Sequence, residues 1–135
     1  MFTLSLFPGL LYLAPLATTL VRVAAGCTLL YMAYRYMVER DDLERAKFWP
    51  VGHIPEWLTI LGSAILFISG LMLVIGLYTQ GVAIVGMLIA LKHVIFARRY
   101  PKYMAISGTA AALLFVICFS LLLSGAGAWG VDLPL

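Results

Sequence analysis

The chain has 135 residues, 64% of them hydrophobic and 11% charged, with a formal net charge of +3. A soluble domain of this size needs far more polar surface, so the composition excludes a water-soluble globule and points to the bilayer as the solvent. A helix takes about 20 apolar residues to cross the hydrocarbon core, and four such stretches leave no room for a soluble domain beside them.

The opening "MFTLSLFPGLLYLAPLA" is as apolar as a secretion signal but carries no lysine or arginine before Arg22, whereas a signal peptide begins with a positive segment. Pro8 and Pro15 also interrupt it, so residues 1–15 read as an interfacial or partly buried lead-in. The first span is expected over about 16–37. Arg22 lies inside it, roughly 9 Å from the outer end at ~1.5 Å per residue. An ion pair with Asp132 in the C-terminal tail would hold that cation, because the tail's glycines let it fold back over the bundle mouth. The competing reading is Arg22 snorkelling alone to headgroup phosphates.

The first span ends in "YMAYRYM", where Tyr31 and Arg35 share a face and Tyr34 adjoins it. The connection "VERDDLERAKFWPVGHIP" follows, with Asp41 and Arg45 spaced to support a short interfacial helix. Val38, Leu43 and Phe48 are placed to dip into the headgroups. Acids alternate with bases there, which excludes a nucleic-acid surface. The second span, about 57–77, opens on Glu56, where a carboxylate suits a helix N-terminus. Only "YTQG" separates it from the third, about 82–97, so the two should form an antiparallel hairpin. The fourth runs over about 105–123. The expected fold is an all-α integral membrane protein, a single four-transmembrane-helix antiparallel bundle.

Arg35, Arg40, Arg45 and Lys47 follow the first span and Arg98, Arg99 and Lys102 follow the third, while the other connections carry no base. The positive-inside rule then places both charged connections in the cytoplasm and both termini outside, in a multi-pass protein of the cell or inner membrane. Trp49, Trp57, Tyr100 and Tyr103 would ring the cytoplasmic interface, with Tyr78 and Trp129 at the opposite one. Helix packing is expected at small residues: Gly62, Ser69 and Gly76 in the second span, Gly86, Ala90 and Ala97 in the third, and Ala17 and Ala24 beside Gly26 and Ala33 in the first. The same residues could serve a homo-oligomer or other membrane subunits.

Lys92 and His93 in the cytoplasmic half of the third span, with Tyr31, Tyr34 and Arg35, outline a candidate pocket for a quinone or lipid headgroup. An imidazole can bond a quinone oxygen or hold haem iron, but the only other histidine, His53, lies in a loop, which speaks against a bis-histidine haem. No cluster has metal-site spacing, and no nucleophile–base pair or phosphate loop marks a catalytic residue. A broken helix pair, an inverted repeat and a ladder of intramembrane acids are likewise missing, which argues against a transporter. Cys27 and Cys118 read as small apolar residues, offset in depth by roughly 6 Å at ~1.5 Å per residue.

Three segments resemble the DoxX-like family of membrane proteins. "GLMLVIGLYTQ" (Gly70–Gln80) is similar to its G-x-x-L-x-x-G-L-x-T-R signature at the end of the second helix. "LVRVAAG" is similar to a first-helix pattern with an arginine four residues before a glycine, here Arg22 and Gly26, and "GAGAWGVD" (Gly125–Asp132) to a G-x-G-x-x-x-x-D ending. The resemblance implies four transmembrane helices and an association with redox biology, as a scaffold or as a small subunit of the thiosulfate:quinone oxidoreductase type. The family's glutamate four residues before Gly70 is Leu66 here, and its G-x-x-K step at the end of the first helix is "AYRY". Leu66 and Lys92 should lie at similar depth, so Lys92 lacks the acid that such a glutamate would supply. A non-catalytic subunit or scaffold is the expected function, and a quinone-reactive subunit the alternative.

Overall fold

The computed structural model describes residues 8–45, 47–48, 52–125 and 127. A 3-10 turn, Pro8–Leu13, runs directly into α1, Ala14–Val38. Pro15 stands in the first turn, where a missing N–H costs nothing. A short helix α2, Arg40–Arg45, and a two-residue antiparallel ladder, β1 Lys47–Phe48 with β2 Gly52–His53, lead to α3, Glu56–Ile75. Then come α4, Thr79–Ala97, a 3-10 turn at Pro101–Tyr103, and α5, Gly108–Ser124. Among the described residues, three helical stretches are long and apolar enough to cross a membrane (Gly9–Val38, Glu56–Ile75 and Thr79–Ala97), and Gly108–Ser124 is a shorter apolar helix. This architecture is compatible with an all-α membrane bundle.

Local chemistry sets the boundaries. Gly76 ends α3 in the left-handed conformation, φ 81°, and its N–H bonds back to the Met72 carbonyl. Tyr78 is also left-handed, at φ 49°, so the chain reverses within Leu77–Tyr78 and α4 starts earlier than the apolar run implies. Ser107, extended at ψ 159°, caps α5 by accepting from the Ala110 N–H at 3.2 Å, which delays that helix to Gly108.

The long helices alternate in direction. At one pole Tyr36 of α1 bonds His93 of α4 and the Ala105 backbone before α5, while Arg40 reaches Glu56 at 3.6 Å. At the other, Gln80 Nε2 donates to the Leu122 carbonyl at 3.2 Å, and Gly127 stands beside Thr18 of α1.

Packing is uneven along the chain. α1 lies mainly on α3 and α4 mainly on α5, whereas α3 and α4, though joined by the tight turn, share little surface. The expected α3–α4 hairpin is therefore joined but weakly packed. Two close approaches set this pairing. Gly26 and Gly70 put the α1 and α3 backbones together, since a Cβ on Gly26 would come within 2.8 Å of the Gly70 carbonyl and one on Gly70 within 2.9 Å of the Gly26 carbonyl. On the other pair, a Cβ at Gly86 would meet the Cys118 Sγ at 2.7 Å. Of the small residues expected at interfaces, Ser69, Gly76, Gly86, Ala90, Gly26 and Ala33 are buried. Ala17, Ala24 and Gly62 are exposed, and Gly70 takes the place Gly62 was expected to hold.

The α4–α5 contact gives a sharp expectation. Gly86→Ala should lower stability by about 1–3 kcal/mol through overpacking, whereas Gly86→Ala with Cys118→Ala should melt close to Cys118→Ala alone, because the new methyl then stands 3.7 Å from the Cys118 Cβ, an ordinary contact. Thermal unfolding in detergent measures both. Cys118 is buried and Cys27 exposed on α1, and both thiols are free.

Candidate functional site

The weak α3–α4 contact leaves a cavity of about 360 Å³ at the pole of the charged connections. The two helices are pinned together at the Gly76–Tyr78 turn and are held apart further along by their separate partners. α4 lines the cavity with Ile89, Lys92, His93 and Phe96, an i, i+3, i+4, i+7 stripe on one helix face. The α3 wall includes Thr59, Gly62, Ser63 and Leu66, and Tyr36, Leu43, Ile54 and Met104 close the end. Leu43 is 5% exposed, so it is an internal plug under α2 rather than a headgroup contact. Leu58, Gly62, Ile65 and Lys92 on the rim are exposed, so the cavity opens sideways between α3 and α4.

Its deepest polar groups bind each other. His93 is fully buried, and Nδ1 donates to the Ile89 carbonyl at 2.8 Å. A carbonyl only accepts, so in the neutral ring the proton is on Nδ1 and Nε2 is the acceptor. The Tyr36 hydroxyl donates to Nε2, with the ring centroids 5.7 Å apart. Both imidazole nitrogens are therefore engaged by the protein. Ser63 Oγ reaches the Ile60 carbonyl at 2.9 Å and Met37 Sδ at 3.1 Å. Lys92 Nζ stands over the Tyr36 ring, 5.9 Å from its centroid, within cation–π range.

The sequence-derived pocket is thus divided. Lys92 and His93 come together in the cavity, and Leu66 shares it with Lys92. Tyr31, Tyr34 and Arg35 do not line it: Tyr31 and Tyr34 are 49% and 65% exposed on the outside of α1. There Arg35 donates to the Tyr31 hydroxyl at 3.4 Å and pairs with Glu39. Tyr36 is the tyrosine that enters the site, and sequence reasoning passed over it. The signal was present, since Tyr36 lies two heptads beyond Arg22, and the buried stripe of α1 is Arg22, Ala25, Gly26, Leu29, Met32, Ala33 and Tyr36.

At the opposite pole Arg22 is 1% exposed. Gly127, at φ 76°, lies with the position of its missing Cβ 3.2 Å from Thr18 and 3.4 Å from the Pro15 carbonyl, so the chain after α5 returns to α1 one turn before Arg22. Asp132, the expected partner of Arg22, lies outside the described residues, as do Trp49 and Trp129 of the expected aromatic rings. Among the described residues no group of three His, Cys, Asp or Glu side chains is placed to hold a metal ion. No protein-family model, curated protein or solved structure matches this chain.

Proposed function

We propose that this protein is an integral membrane subunit of the DoxX-like kind, with four helices crossing the bilayer, that acts as a scaffold in a redox-linked membrane assembly rather than as a catalyst. The observation that carries the reading is the distribution of side chains. Large apolar residues point outward from all four long helices, among them Leu20, Phe67, Leu88 and Leu123 at 63%, 51%, 64% and 73% exposure, while Arg22 and His93 are buried. That is the pattern of a bundle solvated by lipid. The 17 residues of α5 rise ~25 Å at 1.5 Å each, short of the hydrocarbon thickness by an amount that local thinning accommodates. The charged connections then face the cytoplasm and the termini the outside. A scaffold also suits the His93–Tyr36 pair, whose polar atoms satisfy each other rather than a substrate.

Two results are expected. The protein remains in the membrane fraction through alkaline carbonate extraction, and gentle solubilisation yields it in fixed stoichiometry with a polypeptide that carries a redox cofactor. A solitary protein with turnover of its own would overturn the scaffold reading. The cavity favours the alternative, a quinone-reactive subunit, on the condition that His93 exchanges the Tyr36 hydroxyl for a quinone oxygen. Quinone reduction that survives removal of both His93 and Lys92 would exclude it.

A further inference from the structure

We propose that the cavity between α3 and α4 binds a single-chain amphiphile with an anionic head, a long-chain carboxylate being the simplest, with Lys92 holding the head and the apolar walls the chain. The hydrogen-bond inventory of the cavity selects the head. His93 donates through Nδ1 and accepts through Nε2 within the protein, Tyr36 donates to His93, and the Ser63 proton is directed to Ile60 or Met37. The remaining donors are the Thr59 hydroxyl and the Lys92 ammonium, which has three N–H groups. The ring face of Tyr36 attracts that cation without fully bonding its protons. None of the described residues lining the cavity is acidic. The site therefore presents a surplus of donors and of positive charge at the rim of an apolar cavity. A head that only accepts and carries a negative charge completes it.

The walls and the opening select the rest of the ligand. At ~30 Å³ per water-sized group, about 360 Å³ holds about twelve groups, a carboxylate with nine or ten methylenes. Leu43, Ile54, Leu66, Phe96 and Met104 offer such a chain only apolar contact. Longer chains leave past Gly62, where nothing lies within 4 Å of the position a Cβ would take. A bare inorganic anion gains nothing from these walls, and the volume within them matches one acyl chain rather than two. An alkyl phosphate presents the same head chemistry and is the second source to be distinguished.

The test uses the full-length chain in digitonin, titrated calorimetrically with sodium dodecanoate, dodecyl phosphate, 1-dodecanol and inorganic phosphate. Dodecanoate should bind saturably, one per chain. Lys92→Met should weaken it about ten- to a hundredfold, the range for a hydrogen bond to a charged group. Lys92→Arg should stay within a few-fold of wild type, and Gly62→Phe, which fills the exit, should weaken binding without touching the charge. Dodecanol should bind more weakly than dodecanoate to wild type, and the two should bind alike to Lys92→Met. If dodecyl phosphate binds more tightly than dodecanoate, the head is a phosphate ester and the anionic assignment stands. No saturable dodecanoate binding, equal affinity of wild type for dodecanol and dodecanoate, or competition by inorganic phosphate alone would each overturn the proposal. The wild-type comparison of dodecanol with dodecanoate decides even if a Lys92 variant does not fold. The inference goes beyond the scaffold reading, and because it is read on the isolated chain its failure leaves that reading standing.

Discussion

Gly70→Ala is expected to destabilise the protein by about 1–3 kcal/mol and Gly70→Val by more, while Gly62→Ala on the same helix is neutral or stabilising by up to ~1 kcal/mol. Both substitutions replace a helical glycine by a better helix former, so propensity alone favours both. What separates them is the neighbour. A Cβ at Gly70 would lie 2.8 Å from Leu30 Cγ, which a rotamer change can relieve, and 2.9 Å from the Gly26 carbonyl, which cannot move without the whole of α1. A Cβ at Gly62 meets nothing within 4 Å. The reciprocal change Gly26→Ala should behave like Gly70→Ala, since its Cβ would stand 2.8 Å from the Gly70 carbonyl. Once either glycine is replaced, the second replacement should add less than its single cost, because the helices have already been pushed apart. Unfolding midpoints in mixed detergent micelles read all five variants. Equal shifts for Gly62→Ala and Gly70→Ala would mean that the crossing does not hold α1 on α3.

Tyr36→Phe and His93→Leu should each cost about 1–3 kcal/mol, and the double variant clearly less than their sum. Tyr36→Phe leaves the buried His93 Nε2 without the hydroxyl that donates to it. His93→Leu leaves the Tyr36 hydroxyl facing an apolar group and also removes the bond to the Ile89 carbonyl. Removing both partners takes away the two groups that each single change leaves facing the other, so a coupling of ~0.5–3 kcal/mol in magnitude is expected from the cycle. Strict additivity would show that each side chain finds another partner when the first is lost. The cycle also bears on function: a site in which His93 serves a quinone would tolerate Tyr36→Phe in stability and lose binding when only His93 changes.

The apolar character and the helical content were legible in the chain because both are sums over many residues. Four long apolar runs survive any error in a single position, and the structure has three long apolar helices and a shorter one near the places they imply. The ends were less legible. Gly76 and Tyr78 take left-handed conformations and reverse the chain in two residues, so Thr79, Gln80 and Gly81 of the polar "YTQG" break already belong to the next helix. The pole of charged connections holds Lys92 and His93, with Tyr36 beside them rather than Tyr31, Tyr34 and Arg35. Each residue turns a helix by about 100°, so tyrosines two and five positions from Tyr36 point in different directions. Hydropathy cannot choose among them where both faces are apolar.

By itself, then, the sequence determined that the chain is built of apolar helices, that its bases other than Arg22 gather at one pole, and that Lys92 and His93 belong to that pole. These follow from composition and from distance along the chain. Only the tertiary structure decided which helices embrace and where the gap between them lies. Gly26 against Gly70 and Gly86 against Cys118 join helices that are not joined by the turn. The consecutive pair α3 and α4 is left apart at the Lys92 end, and the cavity forms there. A glycine's partner is a fact about two surfaces meeting, and no property of one residue in one helix encodes it.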